Sequence, residues 1–288
     1  MTQPVALAPA GGPIDFVLSS REFERIRELV REHTGIALSE AKRELVYGRL
    51  ARRLRALQLP GFADYIELLE RPDPVELEEF TNAITTNLTA FFREPHHFEY
   101  LAAKALPAIS ARAAAPKRMR IWSCACSTGE EPYSIAIVLR EHERLLAGID
   151  VRILATDLDS SVLATGAAGV YPAARLQAIT PTRARRFFRL GTGSRQGQVR
   201  VEPAVRELIT FKQLNLMQEW PMRGPFDAIF CRNVIIYFDK ATQRVLFERM
   251  AALQRPGDLL FLGHSESLYR VSEHYGLIGH TIYRRLEG

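Results

Sequence analysis

Several short stretches of this chain place reactive or ligand-binding side chains at informative spacings. The first is "CACSTGEEPYS", residues 124–134, where a short apolar run gives way to small residues, one glycine and two carboxylates. Cys124 and Cys126 are two apart with no second pair and no histidine cluster beside them, so neither a four-ligand zinc site nor a C-x-x-C redox pair is built there. Ala125, Ser127 and Gly129 hold the alternate positions that glycines fill in dinucleotide loops, which would let a ligand approach the backbone. A plain strand-to-helix turn explains that pattern equally well. The acids discriminate better: a loop for a triphosphate offers a lysine, whereas Glu130 and Glu131 would repel phosphate. In the following stretch, "VRILATDLD", the apolar run gives way to Asp157, where nucleotide-binding sheets put an acid for the nucleoside hydroxyls. A nucleoside with a sulfonium and no phosphate, S-adenosylmethionine, suits these acids. The competing reading is a solvated rim of strand-end carboxylates.

Two more stretches point the same way. "PFDAIFCRNVIIYF" is apolar until it delivers Arg232 and Asn233, with Tyr237 shortly after, and ligands of open α/β sheets bind at the carboxyl ends of strands. "TTNLTAFFRE" sets Asn87, Thr89 and Arg93 around two phenylalanines. It reads either as a helix cap followed by core aromatics or as a lid over the ligand. His264, alone at a strand end, is assigned no catalytic role. Lys42, Arg43, Arg49, Arg52, Arg53 and Arg55 crowd one stretch, either as a solvated face or as a docking surface for an acidic partner. No stacking aromatics accompany them, which argues against nucleic acid.

The elements that must position these residues fall into two parts. Residues 19–90 carry apolar side chains at helical spacing in four runs, the second from about Ser39 to Leu57, separated by breaks such as Pro60-Gly61. A linker helix over 91–117 follows. From 118 to 288 apolar strands alternate with helical segments. Expected strands are Met119–Ser123, Val151–Thr156, Leu208–Gln213, Phe226–Cys231, Asp258–Gly263 and Leu277–Arg284, and expected helices Ser134–Leu146, Ser160–Ala168 and Lys240–Leu253. That alternation predicts an α/β fold with a mostly parallel sheet covered on both faces. Residues 171–205 break the rhythm and read as a small hairpin-bearing insertion.

Bulk composition narrows the class. The 288 residues are 47% hydrophobic and 25% charged, with a net charge of +5, ordinary for a globular protein. No apolar run reaches the roughly 18–20 residues of a membrane span. Residues 1–18 read as a flexible tail without an export signal, and three cysteines do not make a disulfide scaffold, so the cytoplasm is the expected location.

Taken together, "KRELVYGRLARRLRAL", "TTNLTAFFREPHHF", "WSCACSTGEEPYSIAI", "ATDLDSSVLATGAAGVY", "GPFDAIFCRNVIIYFDK" and "LLFLGHSES" resemble the chemotaxis receptor glutamate methyltransferases of the CheR type. The likeness runs from about Phe23 to Tyr283. It implies a small all-helical domain, a class I methyltransferase domain with a Rossmann-like seven-stranded sheet, and a small antiparallel β-subdomain inserted in the latter. It implies S-adenosylmethionine as cofactor, no metal, and glutamates on the cytoplasmic helices of chemoreceptors as substrates. Carried over by position, Asn87, Thr89, Arg93, Glu131, Asp157, Asn215, Leu216, Arg232 and Asn233 would contact the cofactor, with Asn215 and Leu216 at the adenine. Arg93 and Tyr237 would flank the departing methyl group, and Arg49, Arg52, Arg53 and Arg55 would dock the acidic receptor helices. Cys124 and Cys126 stand where alanine or serine is commoner. In some relatives the β-subdomain also grips a tethering peptide at the receptor C-terminus; Arg200 suits that task, but Leu190 stands where an arginine is expected, and the question stays open. A monomer without membrane insertion is the default. The alternatives are a sensory scaffold that binds the cofactor without catalysis, or a class I methyltransferase of another substrate.

Overall fold

The computed structural model describes residues 16–71, 73–112 and 117–287. Helix α1 (Ser20–Thr34) starts where Ser19 and Glu22 form a capping box and stops at Gly35, whose left-handed φ of 75° closes the last turn. A 3₁₀ turn (Glu40–Lys42) leads into α2 (Arg43–Leu57), so the basic helix begins a turn later than its apolar stripe suggested. Helices α3 (Phe62–Leu69) and α4 (Pro74–Ile84) follow, the latter with Asp73 as N-cap and proline in its first turn. Phe23, Ile26, Val30, Leu50, Leu54, Phe62, Tyr65 and Phe80 bury one core among them. Residues 1–15 of the expected tail lie outside the described residues. Its last part is not free: Phe16 is buried edge-on against Phe62, with ring centroids 6.2 Å apart.

The expected linker helix is helical only from α5 (His96–Tyr100) through a π-helical turn (Leu101–Ala105) to α6 (Leu106–Arg112). Residues 85–95 instead run as turns and irregular chain along the other domain, and 113–116 lie outside the described residues.

The remaining elements are β1 (Arg118–Cys124), α7 (Glu130–Glu141), β2 (Asp150–Asp157), α8 (Ser160–Ala168), β3 (Val170–Pro172), α9 (Pro181–Phe187), β4 (Phe188–Leu190), β5 (Gln198–Val201), α10 (Pro203–Arg206), β6 (Ile209–Gln213), β7 (Ala228–Cys231), α11 (Lys240–Ala252), β8 (Leu259–Leu262), β9 (Tyr275–Gly279) and β10 (Ile282–Arg285). They form a seven-stranded sheet of order β6-β2-β1-β7-β8-β10-β9 and a three-stranded sheet of order β3-β5-β4. The pairs β6–β2–β1–β7–β8 are parallel, whereas β10 is antiparallel to both of its neighbours. One apolar layer holds Ile121, Ile137, Phe230 and Phe261; another holds Trp122, Ile229, Phe247 and Leu260. Alternate residues of the central strands thus bury both faces, as a doubly covered parallel sheet requires.

Leu277–Arg284 is not one strand but a hairpin, because His280 and Thr281 take left-handed φ values of 43° and 59° and reverse the chain. Helix α7 starts at Glu130, four residues before the expected Ser134, which places both acids of the opening loop inside its first turn. The 171–205 insertion carries three antiparallel strands.

Candidate active site

The sheet order reverses between β1 and β7, and the loops leaving their carboxyl ends form one wall of a cavity of about 700 Å³. After β1 the chain must turn tightly into α7. Ala125, Ser127 and Gly129, the alternate small residues, all have positive φ, at 58°, 50° and 95°. Gly129 has no substitute: a Cβ there would stand 2.9 Å from Gly166 Cα. The loop is tied to β2, since Ser127 N–H donates to Asp157 Oδ2 at 2.7 Å. Asp157 also accepts from Asp159 N–H at 3.0 Å, and burial pushes its pKa up to about 6 although these bonds pull the other way.

Glu131 and Glu130 part company within the first turn of α7. Glu131 lines the cavity, accepting from Ser123 Oγ at 2.7 Å and from Arg232 Nη1 at 2.8 Å. Burial raises its pKa, and the Arg232 charge restrains the rise. Glu130 turns away to accept from Thr128 Oγ1 at 2.6 Å, and Arg175 approaches it to 3.6 Å; the N-cap position belongs to Gly129.

Arg232 is the hub behind the wall. Its guanidinium is buried, donates to the Arg93 carbonyl, and lies 3.2 Å from Glu94 Oε2 as well as on Glu131. The next residue, Asn233, turns the chain with φ 59°. Buried Glu266 holds that turn by accepting from Asn233 N–H (2.8 Å), Ile235 N–H (2.9 Å) and Gly263 N–H (2.6 Å). Tyr237, a few residues on, lines the cavity, and its carbonyl accepts from Ala37 N–H at 2.9 Å.

The linker closes over these loops. Asn87 Nδ2 donates to Asp159 Oδ2 at 2.6 Å, and Ser127 Oγ donates to the Asn87 carbonyl at 2.9 Å. Arg175 of the insertion donates to the Thr89 carbonyl at 3.2 Å, and Arg93 Nη1 to the Leu88 carbonyl at 2.9 Å. Phe91 is packed in the core against Tyr171 and Phe188, so the segment whose Asn87, Thr89 and Arg93 line the cavity is anchored by a core aromatic. On the far side Asn215 Nδ2 donates to the His33 carbonyl at 2.7 Å, and Leu216 is buried beside it.

All ten positions expected at the cofactor and the methyl group, from Asn87 to Tyr237, line this one cavity. The docking arginines scatter. Arg49 reaches the cavity but donates to the carbonyls of Ile84 and Thr85, fastening the linker. Arg53 is bound to Glu76, which also accepts from Tyr65 Oη at 2.8 Å. Arg55 lies over the Phe16 ring at 5.5 Å, and Arg52 is exposed. Residues missed in the sequence are Glu94, Asp159 and Glu266. Asp159 is legible in hindsight as an N-cap preceding "SS"; Glu94 carries no local signal, because Arg232, Asn233 and His264 come from other segments, and Glu266 has only Gly263 nearby, its partners Asn233 and Ile235 belonging to the loop after β7. Burial opposes ionisation of Glu94, but the bond from His264 and the Arg232 charge outweigh it and hold its pKa down to about 2. His264, assigned no catalytic role from the sequence, donates its Nδ1–H to Glu94 Oε1 at 2.9 Å.

With this geometry in hand, comparison with known proteins is decisive. The family described as "CheR methyltransferase, SAM binding domain" matches residues 87–284, and "CheR methyltransferase, all-alpha domain" matches residues 21–85. The chain belongs to the CheR family. Chemotaxis protein methyltransferase 2 of Pseudomonas aeruginosa is 47% identical over 279 residues, 96% of this chain and 97% of its own length. Chemotaxis protein methyltransferase of Klebsiella aerogenes is 47% identical, covering 92% of this chain and 90% of its own. That of Escherichia coli is 43% identical, covering 92% and 91%. The boundary between the two CheR domains falls at the start of the linker, in "TTNLTAFFRE", and the cavity lies astride it. Among the described residues no helix is long and apolar enough to cross a membrane.

Proposed function

We propose that this CheR-family protein moves the methyl group of S-adenosylmethionine to glutamate side chains on the cytoplasmic helices of chemoreceptors, working in the cytoplasm as a monomer. The observation that carries the reading is the shared cavity, which gathers Asn87, Thr89, Arg93, Glu131, Asp157, Asn215, Leu216, Arg232, Asn233 and Tyr237 between the helical and sheet domains. Its volume, about 700 Å³, is within the usual range for small-molecule sites. The donor set also fits the cofactor. Asp157 offers a carboxylate for ribose hydroxyls, Asn215 and Leu216 a polar edge and an apolar face for adenine. The buried Nε–H of Arg232, which has no hydrogen-bond partner among the described residues, is a donor that a ligand carboxylate would satisfy. When bound, the cofactor supplies an electrophilic methyl on a sulfonium.

The protein has little proton chemistry to do. A glutamate side chain has a pKa near 4.3 and is already ionised at neutral pH, so the nucleophile needs no general base. Catalysis then rests on alignment and charge. Arg93 and Tyr237 orient the acceptor carboxylate for in-line attack, and the closed linker limits water. Arg52 and Arg55, on the outer part of α2, steer acidic receptor helices toward the cavity mouth. On the insertion, Arg200 is exposed on the central strand β5 and gives a receptor C-terminal peptide a cation to meet.

The test is transfer of labelled methyl from S-adenosylmethionine to membranes containing chemoreceptors. Base-labile label on the receptor is expected, as for a carboxyl ester. No transfer, or base-stable label, overturns the proposal.

A further inference from the structure

Three of the seven histidines, His96, His97 and His264, gather around one carboxylate, Glu94, and the ring of a fourth, His280, lies 5.6 Å from that of His96. Three residues of that group, Glu94, His96 and His97, have ligand atoms that all lie within 4.8 Å of one another. The protonation of His97 makes the arrangement informative. Its Nε2 lies 3.1 Å from the His280 carbonyl, which can only accept, so Nε2 carries the hydrogen. Thr281 Oγ1, 3.2 Å from the same nitrogen, has carbonyls of Leu262 and His280 for its own proton. The neutral ring therefore turns the Nδ1 lone pair toward Glu94 Oε2, 3.5 Å away. Two acceptors face each other in a buried place: His97 is fully buried, and neither Nδ1 nor Oε2 has a hydrogen-bond partner among the described residues.

Such a pair wants a cation between its members. Bond lengths of about 2.1 Å from an ion to each atom would span that 3.5 Å gap at a near-tetrahedral angle. The surroundings also match those of metal ligands, whose outer atoms are usually held by a second set of partners. The His280 carbonyl fixes the far nitrogen of His97, while His264 Nδ1 (2.9 Å) and Asn233 Nδ2 (3.3 Å) hold the other oxygen of Glu94. His96 supplies the third donor from the adjoining position, and exposed His264 marks the way in from solvent. Arg232 Nη2, 3.2 Å from Oε2, is the competitor for that oxygen, but its other branch is engaged by Glu131. We propose that Glu94, His96 and His97 form a binding site for a divalent transition-metal ion of the zinc class, which two nitrogens and one carboxylate oxygen favour.

The test is titration of the EDTA-treated full chain with Co²⁺. Expected is one equivalent bound, with visible absorption of a low-coordinate ion, no thiolate charge-transfer band, and displacement by Zn²⁺. His96→Ala, at a half-buried position, should raise the dissociation constant about tenfold or more while far-ultraviolet circular dichroism is unchanged. His142→Ala, at the end of α7, should leave it unchanged. Absence of saturable binding, as when water alone fills the gap, overturns the proposal. So does equal affinity in the His96→Ala protein, or a thiolate band that assigns the ion to the cysteines.

Discussion

The carboxyl of Asp157 shows how burial sets the working range of a single residue. Its pKa is pushed up to about 6, against about 3.9 for an exposed aspartate. The folded chain thus keeps a proton there that the unfolded chain releases between roughly pH 4 and 6, so this group's contribution to stability falls as pH rises through that window and is level above it. Ligand binding has the opposite sign. Ribose hydroxyls would donate to the ionised form, so affinity for S-adenosylhomocysteine should weaken as pH falls below about 6, approaching tenfold per pH unit. Calorimetry from pH 5 to 8 checks this, and Asp157→Asn should flatten the profile. Arg93 makes a second residue-scale case. Arg93→Ala should lower kcat on the order of a hundredfold while S-adenosylhomocysteine still binds; single-turnover methyl transfer separates the two. Asp157 stood out by its type at the end of a strand and Arg93 by the family resemblance of its linker, and both line the cavity. Glu94 was not, since its meaning comes from Arg232, Asn233 and His264, which are 138 or more positions away in the chain.

Among the elements, the loop after β7 and helix α2 show what periodicity can and cannot say. An apolar run ending in Arg232-Asn233 announces a strand and the end of it that lines the cavity. The left-handed turn at Asn233 is held instead by Glu266, from the loop after β8, through three backbone N–H bonds. Glu266→Gln keeps one acceptor oxygen and should cost about 1–3 kcal/mol, read as a lower denaturation midpoint, with weaker cofactor binding because the loop carries Arg232 and Tyr237. In α2 the crowding of cations suggested one docking face, yet composition cannot tell which cations already have partners. Arg53 is spoken for: Glu76 is buried, and Arg53→Ala would strand its charge, at a cost of about 3–5 kcal/mol. Exposed Arg52 behaves differently. Arg52→Glu should leave stability and cofactor affinity unchanged but slow receptor methylation, more at 20 mM than at 300 mM salt, because exposed charges are screened. Equal slowing at both salt concentrations would mean that the residue does not steer the substrate.

Across the whole molecule, the cavity is a joint between two independently cored domains. The helical domain contributes Thr34, Ile36, Leu38, Val46 and Arg49 to the lining, and the sheet domain contributes the loops after β1, β2, β6 and β7. The seam is polar: Asn215 to the His33 carbonyl, Ala37 N–H to the Tyr237 carbonyl, Asn82 to Ser160, and Thr85 with Asn87 on Asp159. Sequence patterning could separate an all-helical part from an alternating one, because each buries its own apolar face. It could not show that the two close on one another, since the partners of these interdomain bonds stand 72 or more positions apart in the chain and no local pattern pairs them. A ligand gripped from both sides should stabilise both. At a concentration about a hundred times its dissociation constant, S-adenosylhomocysteine contributes about 2.7 kcal/mol to the state that binds it. Hydrogen exchange should then slow in α2 and the end of α1 as well as in the loops of the sheet domain. Protection confined to residues 87–284 would mean that the helical domain only approaches the cavity and does not hold the cofactor.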